Sequence, residues 1–95
     1  MTAKHPRLDR LGRSLRVGQV VRVLGAPDLS DMAPAMRRES EPVFRHIVGT
    51  YKKVAGFDEY GHVELEFKIR KGPNAGNHTV WVEPNLVRAR VSRTV

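Results

Sequence analysis

The chain has 95 residues, of which 40% are apolar and 28% are charged, and it contains no cysteine. This length allows a single domain with a small core, and the composition is that of a soluble globular protein. Disulfides, thiolate metal sites and cysteine nucleophiles are excluded, and a cytoplasmic location is expected. No apolar run approaches the roughly 20 residues that span a bilayer, and the N-terminus lacks the apolar segment of a secretory signal, so no membrane partner is expected.

The formal net charge is +7, and most of the excess lies at the N-terminus. Residues 1–16 carry five basic groups against one acidic group, whereas the remaining segments 17–56 and 57–95 have net charges of +2 and +1. Proline and glycine interrupt the helix-like leucine spacing there, so we predict residues 1–15 to be a basic, flexible arm with at most a turn or two of helix. Such an arm attracts polyanions, although a solvated terminus that only aids solubility has the same composition.

Five segments have the alternation or the valine content of β-strands. The strongest is residues 62–70, where four apolar side chains point one way and polar side chains point the other. Imperfect alternation in the second segment predicts a β-bulge near Lys52–Lys53, and Pro84 predicts a corner before the last strand. The predicted strands are residues 16–24, 48–57, 62–70, 78–83 and 86–91, followed by a loose tail at 92–95.

The long connection between the first two strands, residues 25–47, is predicted to contain a short helix. Ser30 or Asp31 is placed to cap a helix that runs through about Arg38. Pro42 is expected to end this connection, because a proline has no N–H to donate to a helical hydrogen bond. Connections of this length in a small domain are usually functional or contain structure of their own.

The order of these elements resembles that of SH3-like barrels, in which a brief 3₁₀ turn joins the fourth and fifth strands. The segments "VGQVVRVL" and "VGTYKKV" are also similar to sequence patterns of KOW- and Tudor-type members of that superfold. The resemblance covers residues 16–91 and implies an all-β, five-stranded SH3-like antiparallel barrel with a short helix in its long first loop. The chain departs from peptide-binding SH3 domains, because it has one tryptophan and no "ALYDY"-like run. The matched positions are Gly18, Val21, Val23, Gly49, Val54 and the Pro84 corner.

Two aromatic residues, Tyr60 and Trp81, are candidates for an exposed binding surface. Val80 and Val82 take the core face of their strand, which places Trp81 on the opposite face, either covered by the loop or the arm or exposed as the site. Tudor-like modules bind methylated cations with such rings, and other small barrels stack bases on them. Packing against the core is the competing interpretation for these rings.

The basic residues support a sharper hypothesis, which is that arm and barrel together form one electropositive surface for phosphates. For the basic residues of the last strand the competing interpretation is edge protection, since lysine and arginine discourage strand addition. The candidate nucleic-acid-binding residues are Arg7, Arg10, Arg13, Arg16, Lys52, Lys53, Arg88 and Arg90.

No catalytic constellation is visible in the sequence. His62 and Glu64 share a strand face at ligand-like spacing, but two ligands without a third make a poor zinc site. We therefore predict no enzyme activity, no metal and no cofactor. The sequence indicates a small-barrel binding module, associated with nucleic acid or ribonucleoprotein through its basic arm. The alternative is a protein-interaction module or accessory subunit that docks through residues 25–47, with Met32 and Met36 as contacts. The oligomeric state is left open.

Overall fold

The structure is a computed structural model that describes residues 7–90. Its elements are β1 Val20–Val23, α1 Pro34–Ile47, β2 Tyr51–Phe57, β3 Val63–Ile69, β4 Gly76–Val82, a 3₁₀ turn Pro84–Leu86 and β5 Val87–Ala89. The strands form one five-stranded antiparallel sheet in the order β4-β3-β2-β1-β5. Within residues 7–90 no helix is long and apolar enough to cross a membrane.

The predicted strand content and the single helix are confirmed, but the predicted closed barrel is not. β4 and β5 lie at opposite edges of the sheet and are not paired with each other in the described part of the chain. The 3₁₀ turn at Pro84–Leu86 joins them, as the proline corner indicates. The structure therefore establishes an open antiparallel sheet with one helix.

The strands lie where the sequence predicts them, but most of them differ in length from the predicted segments. β3 is nearly as predicted, whereas β1 begins only at Val20, because residues 16–19 form a turn in which Gly18 has a φ of +87°. β2 begins at Tyr51 rather than at residue 48, since Gly49 has a φ of +84° in the turn after α1. The predicted bulge exists, but the register shifts between Val54 and Gly56 instead of at Lys52–Lys53.

The helix is longer than the sequence predicts and begins later. It starts at Pro34, with Ala33 as an N-cap that makes no side-chain hydrogen bond, so the predicted capping by Ser30 or Asp31 is wrong. It runs through Pro42 to Ile47, so the prediction that Pro42 ends the connection is also wrong. The physical reason is tertiary packing, because the residues that the helix buries, Val43, Phe44 and Ile47, all follow the proline.

The core lies between α1 and one face of the sheet, which we call the core face. Every strand contributes to it, and the residues of the core that are almost wholly inaccessible include Val21 from β1, Leu65 from β3 and Val82 from β4. Because side chains alternate along a strand, the residues between these point to the opposite, solvent-facing side. We call that side the outer face.

Residues 7–15 form a tight turn that lies against β5. Asp9 is buried, and its carboxylate accepts hydrogen bonds from the backbone N–H groups of Leu11, Arg13 and Ala89 at 2.8 to 2.9 Å. The backbone N–H of Arg10 donates to the carbonyl of Val87 at 3.0 Å. The segment that the sequence indicates as an arm is thus bonded to β5 over its described part and contains no helix there, while residues 1–6 of the predicted arm and the predicted tail lie outside the described residues.

Candidate nucleic-acid interface

The outer face of the sheet carries a row of two arginines and a tyrosine across three strands. Arg22 of β1 lies directly opposite Arg88 of β5 on one side and Tyr51 of β2 on the other. Residues that face each other across an antiparallel pair lie on the same face, with Cβ atoms about 5 Å apart. All three side chains are exposed. The row therefore presents two guanidinium groups and one aromatic ring to solvent.

Three further basic residues lie beside this row, and two of them, Lys53 and Arg90, are on the same face. Lys53 lies opposite Val20, two residues along β2 from Tyr51, and the backbone N–H of Arg90 donates to the carbonyl of Val20 at 2.9 Å. Arg90 and Arg16 line a groove of about 440 Å³ at this end of the sheet. We call the five basic residues together the basic face: Arg16, Arg22, Lys53, Arg88 and Arg90.

The basic face is not neutralised by carboxylates in the part of the chain that the structure describes. The ion pairs among residues 7–90 are Arg13–Asp9, Arg45–Glu41 and His62–Asp58, and none includes a member of the basic face. The carboxylates on the outer face, Glu64 and Glu66, belong to β3, which lies beyond β2. The β5–β1–β2 part of this face is therefore positive, and the β3–β4 part carries the acidic groups.

Edge protection does not account for Arg88 of β5, because the edge of this strand is already covered. The carbonyl of Val87 accepts from the N–H of Arg10, and the N–H of Ala89 donates to Asp9. The carbonyl of Ala89 accepts from the guanidinium of Arg13 at 3.1 Å. With these backbone groups bonded, a charged side chain is not needed to prevent strand addition at β5.

Four of the predicted phosphate-binding residues make intramolecular contacts away from the basic face. The guanidinium of Arg13 donates to Asp9, and that of Arg10 donates to the carbonyl of Asn85 at 2.8 Å. The guanidinium of Arg7 lies 4.3 Å from the centre of the Phe57 ring. Lys52 is on the core-face side of β2, opposite buried Val21, with its Nζ 5.9 Å from the Phe67 ring. The structure thus groups Arg16, Lys53, Arg88 and Arg90 and separates Arg7, Arg10, Arg13 and Lys52 from them.

The two predicted surface aromatics have different surroundings. Trp81 is 48% exposed on the outer face and lies directly opposite Glu64. Tyr60 is exposed in the β2–β3 turn, with its ring 6.3 Å from that of His62. Of the two arrangements that the sequence leaves open for Trp81, covered or exposed, the described residues show the exposed one. A carboxylate beside an exposed indole makes a poor neighbour for phosphate.

The β2–β3 turn also explains His62, which the sequence pairs with Glu64. The His62 ring donates through Nδ1 to Asp58 at 2.8 Å, because a carboxylate can only accept. Burial opposes ionisation of the Asp58 carboxyl, but the hydrogen bonds from the His62 ring and from the backbone of His62 and Tyr60 outweigh it and hold its pKa below the ordinary value. Among the described residues no group of three potential ligands could hold a metal ion.

The two predicted protein-interaction residues lie in different elements and differ in exposure. Met36 is 59% exposed on the first turns of α1, whereas Met32 is half-buried and precedes the helix. A groove of about 640 Å³ lies between α1 and residues 26–30, with Phe44 and Val48 among its lining residues. Neither methionine lines this groove.

Sequence reasoning missed Arg22 and Tyr51 as members of the interface. The signal for Arg22 was present, because it alternates with the valines of β1 onto the polar face. Its alignment with Arg88 and Tyr51 depends on the register of three strands, which alternation within one strand does not determine.

Comparison with known proteins adds no assignment: no family model, curated protein or solved structure matches the chain. What the protein does must therefore be inferred from its own residues and their geometry.

Proposed function

We propose that the protein is a non-enzymatic binding module that binds nucleic acid through the basic face. The observation that carries this proposal is the pair Arg22–Arg88, in which two exposed arginines lie directly opposite each other. Like charges in this position destabilise a sheet by up to about 1 kcal/mol. Phosphates bound across the pair would remove this repulsion and would accept charge-assisted hydrogen bonds from both guanidinium groups.

The proposal assigns the affinity to the sheet rather than to the N-terminal segment. Arg10 and Arg13 donate to groups within the protein, so their side chains are already engaged. The members of the basic face have no carboxylate partner among residues 7–90. Electrostatic contacts of this kind supply sequence-independent binding that falls steeply with salt.

The finer description of the fold, an SH3-like barrel, stays a hypothesis. It is supported by the strand order, with β1 between β2 and β5, and by the 3₁₀ turn that joins β4 to β5. Fold alone does not assign function, so the proposed binding activity does not depend on it.

The test compares two double variants that remove the same charge from opposite sides of the molecule. Arg22→Gln with Arg88→Gln neutralises the centre of the basic face. Arg38→Gln with Arg45→Gln neutralises two exposed arginines of α1, which packs on the core face. Binding of fluorescent single-stranded and duplex oligonucleotides of mixed sequence would be measured by polarisation between about 50 and 200 mM salt, the range over which phosphate contacts change affinity most visibly.

The expected result is a loss of about tenfold or more for the sheet variant at the lower salt concentration, with the slope of log K against log salt reduced by about 2. The helix variant should keep its affinity within about twofold. Equal losses in the two variants would contradict the proposal, because they would report net charge and not a site. An absence of binding at about 50 mM salt would also contradict it, and would favour the alternative, protein association through residues 25–47, for which Met36→Asp is the first variant to make.

A further inference from the structure

Tyr51 is the aromatic member of the row beside the basic face, and about half of its side chain is open to solvent. The side chain is 52% exposed and lies on the outer face, away from the core. Neither a ring contact nor a ring–cation contact of Tyr51 occurs within residues 7–90, in contrast to Phe57 and Phe67 on the core-face side. Packing therefore leaves an aromatic face open to solvent.

The neighbours of this ring are cationic on two sides. Arg22 lies directly across the strand pair, and Lys53 follows two residues along β2 on the same face. Arg88 continues the row on the next strand. Since adjacent strands are about 4.8 Å apart, the row from Arg88 to Tyr51 extends over about 10 Å. A ligand that fits this row has anionic groups and a flat apolar face within a short distance of each other, which is the chemistry of a nucleotide.

The position of the ring distinguishes between the two forms of nucleic acid. In a duplex the base faces are stacked on one another, so a ring on a sheet surface can meet the sugar–phosphate backbone and the base edges but cannot stack on a base. In a single strand the bases can turn outwards and stack on an aromatic side chain. A phosphate-only interface would need the arginines and could use Tyr51 only through its hydroxyl, which can donate to a phosphate oxygen, and not through its ring.

We propose that the ligand of the basic face is single-stranded nucleic acid, with one base stacked on Tyr51 and the flanking phosphates bound by Arg22 and Arg88. This inference rests on the proposed function and names its ligand class. The chemistry is shared by DNA and RNA, and the experiment includes both.

Trp81 provides an internal control for the inference. It lies on the same outer face and is exposed to a similar extent, 48% against 52%. Its cross-strand neighbour is Glu64, however, and Glu66 lies two residues further along β3 on the same face. Carboxylates repel phosphates, so a strand bound at the basic face should not use this indole.

The experiment measures dissociation constants for a strand of about 12 nucleotides, as DNA and as RNA, and for the matching DNA duplex. The variants are Tyr51→Leu, which removes the ring, Tyr51→Phe, which keeps it, and Trp81→Leu. We expect Tyr51→Leu to weaken single-strand binding by about 5- to 150-fold, which is the range for loss of one stacked base. Tyr51→Phe should restore the affinity, and Trp81→Leu should leave it unchanged. Addition of the single strand should also shift the Tyr51 ring resonances in NMR spectra.

The outcomes separate the inference from the proposal on which it rests. Equal weakening of single-strand and duplex binding by Tyr51→Leu would overturn the inference, as would an unchanged affinity, while the loss caused by the Arg22 and Arg88 substitutions would still support nucleic-acid binding. If those arginine substitutions have no effect, the proposed function itself fails. Because Tyr51 and Trp81 are exposed, we expect each variant to have the melting temperature of the wild type. Thermal unfolding of each variant checks this, so that a loss of affinity cannot be attributed to misfolding.

Discussion

The carboxylate of Asp9 accepts a hydrogen bond from the backbone N–H of Ala89, 80 residues further along the chain, at a distance of 2.8 Å. Two more N–H groups of its own turn, those of Leu11 and Arg13, donate to the other carboxylate oxygen. One buried side chain thus occupies the position of a neighbouring strand along part of β5. A buried group with this many donors is costly to replace, because each donor would lose its acceptor.

Asp9→Asn should destabilise the protein, since the amide NH₂ cannot accept a hydrogen bond and would face a backbone N–H. We expect the free energy of unfolding to fall by about 1–3 kcal/mol. Asp28→Asn is the matched control, because Asp28 also accepts from a backbone N–H, that of Ser30, but is exposed. Its effect should stay within about 0.5 kcal/mol. Urea unfolding near neutral pH measures both, and similar effects of the two substitutions would argue against a special role for Asp9.

The contribution of Asp9 should also depend on pH. Burial opposes ionisation, but the hydrogen bonds from the backbone of Ala89, Arg13 and Leu11 and the charge of Arg13 outweigh it and hold the pKa of Asp9 below its ordinary value of 3.8. Because the pKa is lower in the folded state, the stabilisation is present well above pH 3.8 and is lost as the pH falls through the folded pKa.

The difference in unfolding free energy between the wild type and Asp9→Asn should therefore be constant from about pH 7 to pH 5 and shrink below about pH 4. Using the difference between the two proteins removes the contributions of Asp28 and Asp58, whose pKa values are also lowered. A difference that persists at about pH 2.5 would show that hydrogen-bond geometry, and not the carboxylate charge, is responsible.

Ile47 should be a main anchor of α1, because it is wholly inaccessible at the end of the helix. Ile47→Ala is expected to lower the free energy of unfolding by about 2–5 kcal/mol through lost burial and the cavity left behind. Met36→Ala on the same helix is the control, and as a substitution of an exposed side chain it should cost no more than about 0.5 kcal/mol. Chemical unfolding of both variants tests this, and a small effect of Ile47→Ala would mean that α1 contributes little to the core.

Pro42→Ala should stabilise the protein. Proline in a helix interior leaves one carbonyl without its donor, at a cost of about 3 kcal/mol, whereas the stiffness that proline gives the unfolded chain is worth about 1 kcal/mol. The expected gain is about 1–2 kcal/mol. Pro34→Ala should give no gain, because Pro34 lies at the start of the helix, where proline is favourable. A lower melting temperature for Pro42→Ala would show that the proline shapes the helix for packing.

Sequence patterns predicted the features that depend on residues close together in the chain. They missed the features that depend on contacts between distant segments. Strict alternation located β3, and Pro84 located the corner before β5. The same reasoning ended the helix at about Arg38 and the connection at Pro42. The buried contacts that extend the helix past the proline, those of Val43 and Ile47, are with residues of distant strands. The basic residues of 7–13 looked like a free arm, because the pairing of Asp9 with Ala89 is invisible in either segment alone.

The candidate site divides in the same way. The sequence identified Arg88 and Lys53 by their charge and placed Trp81 off the core by its alternation with two valines. It could not place Arg22 between Arg88 and Tyr51, since that alignment requires the register of two strand pairs. Some of the residues of the candidate site could therefore be predicted from the sequence, but their arrangement could not.

One edge of the sheet is covered and the other is open, and this limits how copies of the protein can join. The turn at Asp9 occupies β5, whereas β4, over its seven residues, is paired only with β3 among the described residues. Within residues 7–90, the edge that is open to strand addition between folded copies is therefore that of β4. Two copies joined β4 to β4 would have no edge left to extend, so growth would end at a pair. A fibril needs an open edge on both sides of every copy, and the part of the chain that the structure describes offers one.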